Sequence, residues 1–287
     1  MKIAIAGHSG YIGRYLQNFF QRDAEIELIL RLGRSPDSDQ HLDLLEAEKF
    51  NYEVLDEIDY VILTSAISSP DKCAAEFDLS WSVNVVGTEY FIRQAIKRGC
   101  RVLFCSSDAV FGDVPGTIYD ELSETAAMTP YGRMKKTVED TFKKEMRFKA
   151  LRLSYVVSAE DKYVSYCLSC IKTGETAVIF HPFYRNCVTI DDVASAVSWL
   201  INNWEKYKPF ALNAAGKELV SRVRIADEIN HCLNGSLHYT ISYPDEVFFQ
   251  NRPRITQMRS LYLKEFNIFP DNTFTEKIQK VLEELKP

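Results

Sequence analysis

Long apolar runs are missing from this chain of 287 residues. No stretch approaches the roughly 18–20 residues that a bilayer-spanning helix needs, which argues against a membrane partner. Basic blocks are missing as well. With a formal net charge of -6 and no compensating Lys/Arg cluster, nothing suggests a nucleic-acid surface. The apolar start, Lys2–Ala6, is too short for a signal-peptide core and leads into glycines instead of a cleavage site. Only five histidines occur, none with metal-ligand spacing, and His181 reads as a packing or loop residue, so no metal is expected. The seven cysteines are odd in number and scattered through apolar stretches, the usage of reduced thiols in a cytoplasmic protein. Cys167 and Cys170 form a CxxC with no second pair, which reads as a helix face and not as zinc or redox chemistry. Repeats, low-complexity segments and flexible linkers are also lacking.

What is present begins at the first residues, MKIAIAGHSGYIG. Lys2–Ala6 suits one buried strand, and Gly7, Gly10 and Gly13 follow at once, with a helix-like stretch opening at Tyr11 and Ile12. Strand, glycine turn and helix in this order set backbone N–H groups and a helix N-terminus against a pyrophosphate. His8 and Ser9 complete that turn.

Further strand-like runs follow at Glu25–Leu30, around Leu42–Leu44, at Tyr60–Thr64, Val102–Cys105 and Ala150–Leu153. They alternate with helix-like stretches at Glu46–Glu57, Ala74–Arg98 and Tyr131–Lys144. This is the pattern of an α/β protein: a Rossmann doubly wound parallel sheet, with a smaller C-terminal α/β substrate-binding lobe. Residues 1–157 read as the NAD(P)-binding core, completed by elements near 187–213, and residues 158–287 as mainly the lobe. The lobe carries helices near Tyr163–Lys172, Val223–Cys232 and Thr275–Leu285, with a further helical stretch at Leu261–Phe266. Ser106–Pro130 is a long connection, and connections of that length are usually functional.

The end of the second strand selects the dinucleotide. A carboxylate about 20 residues past the glycines takes the ribose hydroxyls of NAD, whereas arginine suits the 2′-phosphate of NADP. Here Arg31-Leu32-Gly33-Arg34 stands with no acid before Asp37, so Arg31 and Arg34 favour NADP(H) over NAD(H). Asp43 either accepts from the adenine amino group or caps the next turn, with Leu44 beside it.

The chemistry points to Tyr131-Gly132-Arg133-Met134-Lys135 after Thr129-Pro130. Proline favours a helix start, and residues four apart then share a face. A lysine ammonium beside a phenol is expected to pull its pKa from about 10 towards neutrality, making Tyr131 a proton donor to a carbonyl oxygen. Cys105-Ser106-Ser107-Asp108 leaves the carboxyl end of the fifth strand, where α/β sheets bind ligands.

GHSGYIG (Gly7–Gly13), Asn84-Val85-Val86-Gly87-Thr88, SSDAVFG (Ser106–Gly112) and YGRMK (Tyr131–Lys135) together resemble the extended short-chain dehydrogenase/reductases of the NAD-dependent epimerase/dehydratase type. The resemblance implies a Ser107/Tyr131/Lys135 catalytic set, with Lys135 also on the nicotinamide ribose and Asn84 ordering the site. It places Thr64, Ser65, Ala66, Tyr155 and Val156 at the nicotinamide end, and implies a homodimer through the Ala74–Arg98 and Tyr131–Lys144 helices. Sugar-nucleotide dehydratases carry Asp-Glu after the catalytic hydroxyl; Asp108-Ala109 lacks that base. Fucose-synthase-like enzymes have cysteine where Ala109 stands.

SSDAVF, Arg152-Leu153-Ser154-Tyr155-Val156-Val157-Ser158 and Asn251-Arg252-Pro253-Arg254 look most like the dTDP-4-dehydrorhamnose reductases. That likeness implies NADPH-dependent hydride transfer to the C4 ketone of a nucleotide-activated 4-keto-6-deoxy sugar. Asp108 and Ala109 would face the sugar, and Arg185, Arg252 and Arg254 would meet the diphosphate, since guanidinium pairs bidentately with phosphate. Two alternatives stand beside it: an NAD-retaining nucleotide-sugar 4-epimerase, to which the GYIG wording belongs, and a non-catalytic regulatory subunit of the same fold, against which the intact Tyr131 and Lys135 count.

Overall fold

The apolar runs become strands because both of their faces are enclosed. Ile3–Ala6, Val61–Leu63 and Val102–Phe104 are all essentially inaccessible to solvent, as a parallel sheet covered on both sides requires. In the computed structural model, which describes residues 1–283, one sheet has seven strands: β1 (Lys2–Ala6), β2 (Leu28–Gly33), β3 (Gln40–His41), β4 (Tyr60–Leu63), β5 (Arg101–Ser107), β6 (Phe148–Leu153) and β7 (Ala211–Ala214). Their order is β7-β6-β5-β4-β1-β2-β3. β1 pairs in parallel with β2 and β4, and β4 with β5. The order reverses beside β1, the switch point beyond whose carboxyl ends α/β sheets bind ligands. This is the expected Rossmann doubly wound topology.

The helices are α1 (Tyr11–Phe20), α2 (Pro70–Ala75), α3 (Phe77–Trp81), α4 (Thr88–Lys97), α5 (Pro130–Phe142), α6 (Lys162–Thr173), α7 (Ile190–Asn202), α8 (Arg222–Cys232), α9 (Glu246–Phe249) and α10 (Phe274–Glu283). Among the described residues no helix is long and apolar enough to cross a membrane.

Several element bounds differ from the sequence pattern, each for a local reason. The second strand starts later, at Leu28, because its register against β1 runs from Lys2↔Leu28 to Ala6↔Leu32. Leu42–Leu44 is not a strand, since the Asp43 carboxylate accepts from the Leu45 N–H and starts a 3₁₀ turn over Leu44–Lys49. That turn and a second at Tyr52–Leu55, capped by Asn51, replace the helix placed at Glu46–Glu57. The single helix placed at Ala74–Arg98 is broken into α2, α3 and α4, with a widened π-type turn over Ser82–Gly87. Leu261–Phe266 forms hydrogen-bonded turns and no helix. Residues 284 and 285, which the sequence pattern includes in the last helix, lie outside the described residues.

Chain contacts divide the protein into two compact units. The first comprises Met1–Val110, Ala127–Arg152 and Val197–Leu212; the second comprises Phe111–Ala126, Leu153–Ala196 and the chain from Asn213 on. The division falls earlier than residue 157, and it assigns Phe111–Ala126 to the second unit. The cause is strand pairing: Ile118–Tyr119 lies parallel to Gln257–Met258. In the first unit Leu32, Val61, Leu63, Phe91, Phe104 and Ala150 share one core. In the second, Val164, Cys167, Ile179, Ile225, Ile229 and Ile278 share another.

Candidate active site

Glycine is required where β1 turns into α1. Gly7 has φ +89°, a conformation L side chains rarely adopt, and a Cβ there would stand 2.7–2.8 Å from Ser65 and Thr64. A Cβ on Gly13 would meet the Gly7 carbonyl at 2.1 Å, so α1 begins directly against the turn. The N-cap of α1 is Gly10, which offers no side chain to the first-turn N–H groups. Those donors are therefore left for an external anion such as a pyrophosphate. His8 is buried and shares a 2.8 Å hydrogen bond with Ser38, while Ser9 is exposed and Tyr11 and Ile12 are half-buried.

The second wall of the turn is the segment after β4. The Thr64 hydroxyl donates to the Ala6 carbonyl at 2.9 Å and to the Gly7 carbonyl at 3.2 Å. Thr64, Ser65 and Ala66 are all half-buried. Asn84, in the π-type turn, clamps this segment from behind: its Oδ1 accepts from the Ile67 N–H at 2.8 Å and its Nδ2 donates to the Ile67 carbonyl at 2.9 Å. Turns of this type recur at functional sites. The sequence places Asn84 here; the helix widening that aims it is not visible there.

At the far end of β2 the two arginines differ. The Arg31 guanidinium is committed to Asp39, with Nε at 3.1 Å and a terminal nitrogen at 2.7 Å from its oxygens. Hydrogen bonding to Arg31 holds the Asp39 carboxyl below the usual carboxylate range. Arg34 is 73% exposed and 3.8 Å from Asp43, so of the two it is the more open to solvent, the Arg31 side chain being 32% exposed. The Asp43 carboxylate caps Leu45, the second of the two roles its position allows, and Leu44 is buried.

Ser107 is the last residue of β5. Its hydroxyl donates to Asp108 at 3.0 Å and accepts from the Ala109 N–H at 3.2 Å. Thr129 caps α5 by accepting from the Gly132 N–H at 3.1 Å, and Pro130 begins the helix, so Tyr131 falls in the first turn. Gly132 brings that turn against the Ser107–Ala109 segment, since a Cβ there would lie 2.1 Å from the Ala109 carbonyl oxygen. One turn on, the buried Lys135 donates to the Cys105 carbonyl at 2.8 Å, with its ammonium 5.8 Å from the Tyr131 ring centroid.

The expected lowering of the Tyr131 pKa is not found. Burial raises the phenol above its ordinary range, and Cys73, Asp108 and Cys105 add to the rise. Burial also pushes Lys135 down to about 8, against the pull of Cys105, Glu139 and Cys73. The lysine hydrogen bond goes to a backbone carbonyl and not to the phenol, so desolvation governs both groups. Tyr131 is thus held protonated at neutral pH, the state a proton donor needs.

Behind this set lies a buried ion pair that sequence reasoning missed. Arg152 of β6 donates to Glu139 of α5 at 2.7 and 3.1 Å, and Ser106 donates to the same carboxylate at 2.6 Å. The available signal was spacing alone, for Glu139 continues the Tyr131–Lys135 helix face.

In the second unit, the Tyr155 hydroxyl donates to both oxygens of Asp161 at 2.8 Å, and Val156 belongs to a two-residue strand paired with Val188–Thr189. Arg185 is committed to the backbone: its guanidinium donates to the carbonyls of Tyr184, Pro253 and Arg254. Arg252 donates to the Phe248 carbonyl at 2.8 Å, and Arg254 pairs with the exposed Glu246 at 2.5 Å. Arg222, also unforeseen, lies over the rings of Tyr155, Tyr163 and Phe183.

Residues 3–215 match the model of the NAD dependent epimerase/dehydratase family. A curated dTDP-4-dehydrorhamnose reductase from Aggregatibacter actinomycetemcomitans is 26% identical over 136 residues, 47% of this chain and 44% of that protein. The chain spans less than half the length of the curated relatives it matches. Among solved structures, a dTDP-4-dehydrorhamnose reductase from Bacillus anthracis in complex with NADP superposes with a TM-score of 0.84 at 20% identity, over 99% of both chains. A UDP-glucose 4-epimerase from Thermotoga maritima, bound to UDP-glucose, gives 0.81 at 16% identity over 99% of this chain and 98% of that one.

Proposed function

The chain belongs to the NAD dependent epimerase/dehydratase family, and on that premise we propose that it is an NADPH-dependent reductase of a nucleotide-activated 4-keto-6-deoxy sugar. The carrying observation is the first turn of α5, which Gly132 brings onto the Ser107–Ala109 segment with Tyr131 protonated and Lys135 one turn behind it.

The residues fit a dinucleotide. The α1 N-terminus, which has no side-chain cap, and the tight Gly7 turn that sets it against the Thr64–Ser65 segment suit the pyrophosphate, and Thr64, Ser65, Ala66 and Asn84 suit the nicotinamide end. When bound, the reduced dinucleotide supplies the hydride. Tyr131 donates its phenolic proton to the C4 oxygen, and the Ser107 hydroxyl hydrogen-bonds that same oxygen. Lys135 sets a positive charge near the phenol, favouring the phenolate left after transfer. Asp108-Ala109 supplies no glutamate base, so dehydration is not the reaction.

NADPH is preferred to NADH because Arg34, at the end of β2, is accessible to a 2′-phosphate; Arg31, held by Asp39, contributes less. For the substrate diphosphate Arg252 and Arg254 are the stronger candidates, holding one backbone carbonyl and one exposed carboxylate, against three backbone carbonyls for Arg185. The exposed Phe77, Leu79, Val86 and Tyr90 on the α3–α4 segment support the homodimer implied by family resemblance.

The test is Tyr131→Phe with NADPH and a dTDP-4-keto-6-deoxy sugar. Loss of about 10²-fold or more in kcat supports the reading, and retention of most turnover refutes it. An NAD-retaining 4-epimerase is the second reading, favoured by the Gly10-Tyr11-Ile12-Gly13 wording of the turn. Tightly held NAD⁺ in the purified protein, with no need for added reductant, would select it.

A further inference from the structure

Lys135 is a buried cation with unusual surroundings. Its ammonium donates to the Cys105 carbonyl and lies 4.3 Å from the Phe104 ring centroid. Among the described residues, no carboxylate forms an ion pair with it. The other titratable groups facing it are Cys105 of β5, Cys73 of α2 and Tyr131 of its own helix. One turn along α5 stands Glu139, its side chain 3% exposed, the nearest source of compensating negative charge on that helix.

Glu139 is held with more bonds than packing needs. Arg152 Nε donates to Oε1 and Oε2 at 3.1 Å each, another Arg152 nitrogen donates to Oε2 at 2.7 Å, and Ser106 Oγ donates to Oε1 at 2.6 Å. The donors come from β5 and β6, which neighbour each other in the sheet. One carboxylate therefore ties α5 to the strand that carries Ser107 and to the strand beside it. Burying such a pair gives no general gain in stability over apolar residues of similar volume, so stability alone does not account for it.

We propose that Glu139, fixed by Arg152 and Ser106, is a positioning residue for the Ser107–Tyr131–Lys135 set: it locks the register of α5 against β5, and its charge keeps the neighbouring Lys135 protonated in a dry site. This rests on the reductase reading for its kinetic consequence, but not for its effect on Lys135. A shift of α5 along β5 displaces Tyr131 relative to Ser107. Among the described residues, loss of the carboxylate leaves Lys135 facing the Cys73 and Cys105 thiols, the Tyr131 phenol, the Phe104 ring and the Cys105 carbonyl.

The experiment pairs two substitutions, Glu139→Leu with Arg152→Met, so that no buried charge is stranded. The lysine side chains are ¹³C-labelled, and the Lys135 titration is followed by NMR beside steady-state turnover. The expected result is a folded protein whose kcat falls about 30-fold or more, with the KM for the nucleotide sugar within about threefold of wild type. The Lys135 midpoint drops by about one pH unit or more. Either a wild-type kcat or an unmoved midpoint in the folded double variant overturns the proposal. If that variant does not fold, Ser106→Ala removes one donor and leaves the ion pair. A fall in its kcat at unchanged KM upholds the proposal, and a wild-type kcat overturns it. If the wild-type protein itself oxidises no NADPH, the reductase reading fails; the Lys135 midpoint then decides this inference alone, supporting it if it drops and overturning it if it does not.

Discussion

Replacing Gly132 by alanine probes the joint on which the site is built. The new Cβ would stand 2.1 Å from the Ala109 carbonyl oxygen, 2.9 Å from its carbon and 3.1 Å from Thr129 Oγ1. Ordinary carbon–oxygen contacts lie near 3.3 Å, so the first turn of α5 and the Ser107–Ala109 segment must part by roughly 1.2 Å. The obstacle is backbone, not the end of a flexible side chain, so neither partner can simply rotate away. A displacement of about 1 Å between reacting groups costs on the order of 10²-fold in rate, or about 2.7 kcal/mol in the barrier. The accompanying overpacking destabilises the fold by about 1–3 kcal/mol. Steady-state NADPH oxidation and a thermal melt measure the two effects separately. A variant within about threefold of wild-type kcat, at unchanged Tm, would refute the claim that Gly132 sets Tyr131 against Ser107.

Three further outcomes are expected. Arg34→Ser raises the KM for NADPH by about tenfold and leaves that for NADH nearly unchanged; an unaltered preference between the two would remove Arg34 from the cofactor site. Lys135 is protonated below about 8 and loses its charge as pH rises through that value, so reduction slows along an alkaline limb near pH 8; a profile with no such limb would show that the charge on Lys135 does not matter. Gly87→Ala would set a Cβ 1.6 Å from the Leu44 carbonyl oxygen and is expected to cost about 3 kcal/mol, visible as a melt lowered by several degrees; a wild-type melt would contradict the tight approach of those two segments.

The sheet was legible because its strands are apolar on both faces and because glycine has few uses at the end of a first strand. The placement of Tyr131 and Lys135 on one helix face was legible because a proline start and a four-residue spacing fix it. What escaped was whatever depends on partners remote in the chain. Glu139 sits in Val138-Glu139-Asp140, which reads as an ordinary surface helix, and Arg152 sits in a strand; only their meeting reveals a buried pair. Arg31 was readable as a cation at the strand end, but its capture by Asp39 depends on how the chain turns between β2 and β3. The direction of the Tyr131 shift was misjudged for the same reason: spacing supplies a neighbouring charge, whereas desolvation depends on everything packed around it.

Deuteride transfer tests the central claim most directly. NADPH carrying deuterium at the transferable C4 position is incubated with the protein and a dTDP-4-keto-6-deoxy sugar, and the products are read by mass spectrometry and by loss of NADPH absorbance. The account predicts one deuterium at C4 of the sugar for each NADPH consumed, appearing about 10²-fold or more slowly with Tyr131→Phe. A sugar epimerised without net NADPH consumption, or no sugar product at all, would contradict it.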